Sequence, residues 1–204
     1  MQPKPSSLTA IDVFAGGGGL TVGLKRAGFR VVAAIEKEDH AFATYKANHP
    51  EVHGYKQDVR TVTGKALLKH APGGSLDVLA GCPPCQGFTS LTSKYRRPDA
   101  RNELIQDMAR LVEETLPRVV MMENVPGLTM KGKALFSGFI TRLVKAGYIV
   151  RYGVLQVADY GVPQNRRRLV LLAGHRFAIP LPKPTHSQTG KDGLVKWRTV
   201  RSTS

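Results

Sequence analysis

The chain has 204 residues, of which 42% are hydrophobic and 22% charged, a composition typical of one globular domain with a buried core. Thirty Lys and Arg residues against fifteen Asp and Glu give a formal net charge of +15, which favours a polyanionic partner, nucleic acid first and an anionic membrane second. The sequence contains no run of about 18 apolar residues, no signal-peptide core and too few cysteines for a disulfide framework. We therefore expect no membrane span, and reduced thiols in a cytosol-like compartment.

Short apolar runs alternate with amphipathic segments along the chain. We predict strands at 8–14, 30–35, 76–80, 118–122, 149–157 and 169–173, with a weaker one near 52–57. We predict helices at 20–27, 39–48, 63–69, 102–116 and 133–146. Strands that alternate with helices in this way predict an α/β fold, a doubly wound, mostly parallel Rossmann-like sheet with helices on both faces.

The composition changes after Gly174. Residues 177–186 contain Pro180, Pro182 and Pro184, which make this segment unsuitable for a central strand or a helix. We expect an extended linker there. The predicted organisation is an N-terminal tail at 1–7, a folded domain at 8–175 and a proline-rich linker or tail at 176–204.

A glycine-rich turn at 16–19 follows the first predicted strand. Glycine permits positive φ and a close approach of a ligand to the backbone, and open α/β sheets bind ligands at the carboxyl ends of their strands. Glu36, about 20 residues beyond Gly16, suits ribose hydroxyls, and Asp58 could lie beside an adenine. The dinucleotide fingerprint is broken at Thr21, so S-adenosylmethionine and NAD both stay open, as do a plain tight turn and two solvated acids.

A loop stiffened by two prolines, Gly-Cys-Pro-Pro-Cys-Gln at 81–86, presents Cys85 as a nucleophile beyond a predicted strand. Cytosine C5 is a poor nucleophile, but a thiolate that adds to C6 makes the ring enamine-like, so that C5 can attack an electrophilic methyl group. This reaction also needs an acid at N3, for which Glu123 is placed after the next strand. Arg166 and Arg168 could reach the base and the phosphates.

Each of these features has another interpretation. The spacing of Cys82 and Cys85 is also that of a redox pair or of half a zinc site, although no second cysteine pair or suitably spaced histidine accompanies it. The segment Glu123-Asn124-Val125 could be a capping turn only, and residues 166–168 a basic surface patch. The combination of all three favours methylation of a cytosine ring.

Four motifs in order carry a resemblance to a known family: Asp12-Val13-Phe14-Ala15-Gly16-Gly17-Gly18-Gly19, Pro83-Pro84-Cys85-Gln86-Gly87-Phe88, Glu123-Asn124-Val125 and Tyr160-Gly161-Val162-Pro163-Gln164-Asn165-Arg166-Arg167-Arg168. On these motifs the chain resembles the cytosine-5 DNA methyltransferases over residues 8–201. The resemblance implies a catalytic domain at 8–175, with Cys85 as nucleophile, Glu123 as partner of N3, and Arg166 and Arg168 as base- and phosphate-side arginines.

The same resemblance implies S-adenosylmethionine as the cofactor, and the spacing of the cysteines and histidines predicts no metal site. The residues expected to line the cofactor site are Phe14, Gly16, Gly18, Glu36, Asp58, Pro84 and Leu104. Substrate contacts are expected from Gln86, Asn124 and Gln164, and a loop at 86–101 is expected to close over a flipped-out cytosine.

Family members continue past the proline-rich segment into a target-recognition domain, and then return with a late motif and a final helix. These 204 residues include neither, so we expect a truncated or split form that a second polypeptide completes. The expected partner is double-stranded DNA in a prokaryotic or phage cytosol. Three alternatives stay open: an inactive remnant that binds nucleic acid through charge, a tRNA-methylating relative, and a module that only binds an adenosine nucleotide.

Overall fold

The computed structural model describes residues 8–84, 103–191 and 193–202. Within these ranges the strands are β1 (Thr9–Val13), β2 (Arg30–Ile35), β3 (His53–Tyr55), β4 (Val78–Gly81), β5 (Val119–Asn124), β6 (Tyr148–Gln156), β7 (Arg167–His175), β8 (His186–Ser187) and β9 (Val195–Lys196). The α-helices are α1 (Gly19–Arg26), α2 (Asp39–Asn48), α3 (Gly64–Leu68), α4 (Leu104–Thr115) and α5 (Lys133–Lys145). None of the helices in the described ranges is long and apolar enough to cross a bilayer.

Seven strands form one sheet in the order β3-β2-β1-β4-β5-β7-β6. Strands β1 to β5 pair in parallel, whereas β7 runs antiparallel to both β5 and β6. The chain winds outward in both directions from β1, which confirms the predicted doubly wound α/β sheet. Val13, at the end of β1, is in register with Ile35 and with Gly81. The segments that follow these three strands therefore meet at one edge of the sheet.

Helices cover the sheet on both faces, and β1 is therefore buried along its whole length. On one face, Leu24 of α1 and Tyr45 of α2 pack against small strand residues such as Ala34. On the other face, α3, α4 and α5 contribute a larger cluster that includes Met108 and Phe139. Two separate cores of this kind are what a sheet with two apolar faces requires.

The structure differs from the prediction mainly at element ends. Strand β7 begins at Arg167, two residues before its predicted start. The prediction began too late because the first two residues of the strand are arginines and do not show the apolar pattern that marks a strand. Helix α4 begins at Leu104, and the start predicted at Asn102 lies outside the described residues.

The chain beyond β7 folds back on the domain. Strand β8 pairs in parallel with β9, a ladder of only two residues on each strand that no sequence periodicity would reveal. Its contacts reach the 3₁₀ turn at Val157–Tyr160 between β6 and β7. The boundary between a domain at 8–175 and a tail at 176–204 stays a prediction.

Candidate active site

The glycine turn after β1 has an unusual backbone. Phe14, Gly16 and Gly18 all have positive φ, of 64°, 54° and 95°. The Ala15 N–H donates to the Ile35 carbonyl at 3.0 Å, and the Gly18 N–H donates to the Ala15 carbonyl at 2.9 Å. These bonds fold the turn tightly over the edge of the sheet, where backbone groups can approach a ligand.

Gly18 also packs against a buried histidine. A Cβ at Gly18 would lie 2.5 Å from His49 Nε2, too close for any side chain. His49 Nε2 is 3.3 Å from the Gly18 carbonyl oxygen, and Lys25 Nζ is 2.8 Å from His49 Nδ1. Lys25 continues the chain of contacts to Glu51 on the surface. The turn is thus held from behind by α1 and the end of α2.

A second buried network ties β1 to the same two helices. The Thr21 hydroxyl donates to Asp12 Oδ2 at 2.7 Å, and Tyr45 Oη lies 2.9 Å from Thr21 Oγ1. Asp12 is fully buried, and its Oδ1 makes no hydrogen bond within the described part of the chain. Burial raises the pKa of Asp12 from 3.8 to about 7, against the lowering effect of the Thr21 bond, with a further small rise from Glu36.

This network was missed at the sequence level, although one signal pointed to it. Thr21 stands where the dinucleotide fingerprint has glycine, and its hydroxyl is the group that bridges Asp12 and Tyr45. Tyr45 and His49 lie 24 and 31 residues along the chain from their partners Thr21 and Gly18, a separation that no local pattern reports.

Glu36 is held at the end of β2 with its carboxylate turned toward the glycine turn. Its Oε2 accepts from the Gly16 N–H at 2.9 Å, and its Oε1 accepts from the Glu38 N–H at 2.8 Å. The Glu36 N–H in turn donates to the Tyr55 carbonyl at 3.0 Å. The side chain is therefore fixed in one orientation beside Gly16.

A cavity of about 530 Å³ opens beside these groups. Of the residues predicted to bind the cofactor, Phe14, Glu36, Asp58, Pro84 and Leu104 line it. Gly16 and Gly18 belong to the adjoining turn and are not among the lining residues. Six further lining residues were not predicted, and each lies within two positions of a predicted one: Ile35, Lys37, Glu38, Gln57, Val59 and Cys82.

Asp58 lies at one side of this cavity and is held by a basic partner. Its carboxylate accepts from the Arg60 N–H and Nε, both at 3.0 Å, and from Arg60 Nη2 at 2.8 Å. The Lys37 ammonium is 3.8 Å from Asp58 Oδ2. Hydrogen bonds from Arg60 hold the pKa of Asp58 near 2, so its carboxylate stays ionised at neutral pH.

The loop that leads toward the predicted nucleophile is anchored just before it. Cys85 and Gln86 lie outside the described residues, but Pro83 and Pro84 are described. Asn124 is 3% exposed; its Nδ2 donates to the Pro83 carbonyl at 3.1 Å and its Oδ1 accepts from the Val125 N–H at 2.8 Å. Asn124 therefore binds the loop, and its predicted substrate contact stays a prediction.

Cys82 has the opposite environment from a reactive thiol. It lines the cavity, and burial raises the pKa of its thiol to about 12, with smaller contributions from Glu123 and Asp12. A thiol in this state is a packing group at neutral pH. Within the described ranges, no cluster of three His, Cys, Asp or Glu side chains could hold a metal ion.

Glu123 and the two predicted arginines come together at the end of β5. Arg168 Nε lies 2.7 Å from Glu123 Oε1, and Arg166 Nη2 lies 3.8 Å from the same oxygen. In the antiparallel ladder Glu123 is opposite Val170, so Arg168 is its diagonal neighbour on the same face of the sheet. The long side chain of arginine can span that diagonal, whereas a short side chain could not.

The basic run leading into β7 is exposed. Gln164, predicted to contact the substrate, is exposed, and its N–H donates to the Val162 carbonyl at 2.7 Å. Arg166 is also exposed, with a side chain that is 43% accessible. Arg168 is 22% accessible, so the arginine nearest to Glu123 is the more sheltered one. The contact predicted for Gln164 stays a prediction.

Comparison with known proteins agrees with this arrangement. The sequence model of the family described as C-5 cytosine-specific DNA methylase matches residues 8–196. Type II methyltransferase M1.HphI of Haemophilus parahaemolyticus is 39% identical over 195 residues, covering 92% of this chain and 52% of that protein. Type II methyltransferase M.AquIA of Picosynechococcus sp. is 34% identical over 195 residues, covering 89% of this chain and 78% of that protein.

A solved structure has the same fold. It belongs to a protein described as a DNA modification methyltransferase encoded within an E. coli prophage, and it superposes with a TM-score of 0.79 at 29% identity. The match covers 96% of this chain and 54% of that one. The chain thus spans about half the length of M1.HphI and of this structure. On the family match over residues 8–196, the chain belongs to the C-5 cytosine-specific DNA methylases.

Proposed function

We propose that this chain is the catalytic part of a DNA (cytosine-5-)-methyltransferase that takes its methyl group from S-adenosylmethionine. The observation that carries the proposal is a convergence at one sheet edge. The acid-lined cavity, the Pro83-Pro84 loop that leads to Cys85, and Glu123 with its two arginines all follow the carboxyl ends of β1, β2, β4 and β5. No single sequence motif supports the proposal as strongly as this convergence does.

The cavity suits S-adenosylmethionine in size and in chemistry. Its volume of about 530 Å³ lies within the range of about 300–1,000 Å³ that small-molecule sites occupy. Glu36 can accept hydrogen bonds from ribose hydroxyls, while Asp58 and the apolar Ile35 and Val59, which also line the cavity, suit an adenine. When bound there, the cofactor supplies an electrophilic methyl group on a sulfonium.

The residues of the chain divide the remaining chemistry. The Cys85 thiolate forms a bond from Sγ to C6 of the cytosine, and the electron pair moves to C5, which is then methylated. Glu123 acts as the acid that donates a hydrogen bond to N3, where negative charge develops, and Arg166 and Arg168 stabilise that charge and contact the phosphates. Loss of the C5 proton to a base then breaks the Sγ–C6 bond and restores both the thiolate and the aromatic ring.

The nature of the substrate follows from the family and the charge. A net charge of +15 favours a nucleic acid, and a cytosine must leave the base stack before a thiol can reach C6. We propose double-stranded DNA in a bacterial or phage-infected cytosol as the substrate. Because the chain spans only about half the length of M1.HphI and of the prophage methyltransferase, we also propose that a further region or a second polypeptide supplies base recognition.

Covalent trapping tests the proposal. DNA with 5-fluorocytosine at mixed-sequence sites is incubated with S-adenosylmethionine and either the wild-type chain or Cys85→Ser, with Cys82→Ser as the matched control. Fluorine at C5 blocks the final elimination, so we expect a trapped band with the wild type and Cys82→Ser, and none with Cys85→Ser. A band with Cys85→Ser would overturn Cys85 as the nucleophile.

Two further arms separate the alternatives. Trapping on a cytosine-containing tRNA in place of DNA would favour an RNA-methylating relative. A wild-type chain that traps neither substrate is tested again with a companion chain that supplies the recognition region. Trapping in that mixture would support a split enzyme, and its absence together with salt-dependent DNA binding would favour an inactive remnant.

A further inference from the structure

We propose that Asp159 and Trp197 are positioning residues that fix Arg166, through a segment that we name the docked tail, residues 182–191 and 193–197. This inference rests on the proposed function only for its catalytic consequence, because the structural part concerns the backbone at Arg166. The docked tail lies on the 3₁₀ turn at Val157–Tyr160, which comes directly before the arginine-bearing segment.

Asp159 is the point at which the docked tail is held. Its Oδ1 accepts from the indole Nε1–H of Trp197 at 2.8 Å, and its main-chain carbonyl accepts from the Thr185 N–H at 2.9 Å. Next to it, the Tyr160 hydroxyl donates to the Pro182 carbonyl at 2.9 Å. Two adjacent residues of the turn, Asp159 and Tyr160, thus bind both ends of the docked tail.

The short ladder places Trp197 for this contact. The Val195 N–H donates to the Thr185 carbonyl at 3.1 Å, and the Trp197 N–H donates to the Ser187 carbonyl at 2.9 Å. At the same place Gly161, with φ of 81°, comes so close to His186 that a Cβ would lie 2.8 Å from its ring. The tail and the turn are therefore in direct van der Waals contact as well as hydrogen-bonded.

From this turn the contacts continue to Arg166. The Val157 N–H donates to the Arg166 carbonyl at 2.8 Å, and the Arg166 N–H donates to Gln156 Oε1 at 2.9 Å. Gln156 Nε2 also donates to Asn165 Oδ1 at 2.8 Å. The main-chain N–H and carbonyl of Arg166 are thus hydrogen-bonded to Gln156, the last residue of β6, and to Val157, the first residue of the turn.

Arg166 depends on this support because its side chain has little of its own. The side chain is 43% accessible and lies 3.8 Å from Glu123, a longer contact than the 2.7 Å of Arg168. A partly exposed arginine at that distance is only weakly fixed by its ion pair, so the position of its backbone determines where the guanidinium lies. The tail, which holds the turn, thereby sets where Arg166 meets Glu123.

The test uses the full chain and three variants. Asp159→Ala removes the acceptor, Trp197→Phe removes the donor, and Asp159→Asn removes the same charge as Asp159→Ala while its amide oxygen still accepts. Amide hydrogen exchange is measured at Val157 and Arg166, with the Leu79 amide in β4 as an internal reference for global folding. We expect about three- to tenfold faster exchange in Asp159→Ala and Trp197→Phe, the effect of one lost hydrogen bond, and wild-type exchange in Asp159→Asn.

Unchanged exchange at both amides in Asp159→Ala and Trp197→Phe overturns the proposal, and so does an Asp159→Asn that exchanges like Asp159→Ala. Faster exchange at Leu79 as well would show general loosening of the fold, and it would count against a local role. Because this readout needs no turnover, it decides the inference even if the wild-type chain never traps 5-fluorocytosine.

Where the wild type does trap DNA, the catalytic consequence follows in the same variants. We expect Asp159→Ala to trap about three- to tenfold more slowly than Asp159→Asn. The affinity for S-adenosylmethionine should be unchanged, because none of the residues that line the cavity lies on β6, on β7 or in the turn between them. Equal trapping rates in the two variants would contradict a role in positioning Arg166. The single tryptophan of the chain gives an independent measure, because quenching of its fluorescence by acrylamide should increase in Asp159→Ala.

Discussion

Asn124 Nδ2 donates to the main-chain carbonyl of Pro83 at 3.1 Å, and this bond joins the end of β5 to the loop before Cys85. The same side chain caps its own strand through Val125. One buried amide thus links the acid-bearing strand to the loop of the predicted nucleophile.

Removing this amide should affect both stability and chemistry. Asn124→Ala leaves the Pro83 carbonyl and the Val125 N–H without their partner, which we expect to cost about 2 kcal/mol in the free energy of unfolding. Covalent trapping should slow as well, because the loop loses its anchor. Urea unfolding and trapping rates are the measurements, with exposed Asn48→Ala as the control. Identical results for the two variants would contradict the anchoring role.

Replacing Arg168 or its neighbour Arg167 removes the same charge from two different environments. Arg168 is paired with Glu123, whereas Arg167 is exposed. We expect Arg168→Gln to slow trapping by about tenfold or more, since it removes a charge contact beside the reacting base. Arg167→Gln should mainly lower the salt dependence of DNA binding, by a slope of about 1. Trapping kinetics and DNA affinity across a salt series separate the two; equal catalytic losses would refute the distinction.

Two adjacent glycines should respond very differently to alanine. Gly18 has φ of 95° and a Cβ there would lie 2.5 Å from His49, whereas a Cβ at Gly19 would meet nothing within 4 Å. Gly18→Ala should lower the free energy of unfolding by about 2 kcal/mol or more. Gly19→Ala, at the first residue of α1, should be neutral or stabilising by up to about 1 kcal/mol. Thermal and urea unfolding measure both; similar losses for the two would contradict the structure of the turn.

Asp12 predicts how stability should depend on pH. Its folded-state pKa, raised by burial to about 7, exceeds its ordinary value of 3.8. Between these values the unfolded chain loses this proton first, so its contribution to stability falls as pH rises from about 4 to about 7 and then levels off. Asp12→Asn cannot ionise, and its stability relative to the wild type should rise over that window by a few kcal/mol at most.

Urea unfolding at pH 5, 6, 7 and 8 gives the measurement for Asp12. The control is Asp39→Asn, whose exposed carboxylate pairs with Lys56 on the surface. A difference between Asp12→Asn and wild type that stays constant across this range would show that the buried carboxyl does not titrate there.

Much of the site could be predicted because it follows strand ends. Glu36 comes directly after β2, Asp58 three residues after β3, and Glu123 is the next-to-last residue of β5; parallel strands bring such positions to one edge. The alternation of apolar strands and helices was enough to predict that sheet. Strand boundaries were less accurate, as at Arg167, because the ladder of hydrogen bonds extends past the apolar pattern.

The side-chain contacts that could not be predicted join distant parts of the chain. Tyr45 reaches Thr21, and Trp197 reaches Asp159 across 38 residues. Neither contact produces a periodic signal, and the proline-rich composition of the tail predicted only an extended segment. Tertiary packing, and not local propensity, brings the two partners of each contact together.

The pairing of β5 with β7 also means that one alignment of two strands determines the acid and its arginines together. A slip of two residues that set Leu172 opposite Glu123 would keep every side chain on its original face. It would carry Arg168 about 7 Å further along the sheet, beyond reach of Glu123, and it would place His175 where Ala173 is now fully buried. Such misaligned chains would lose the ion pair and part of the core packing together, so mutations at this ladder should lower stability and activity in parallel.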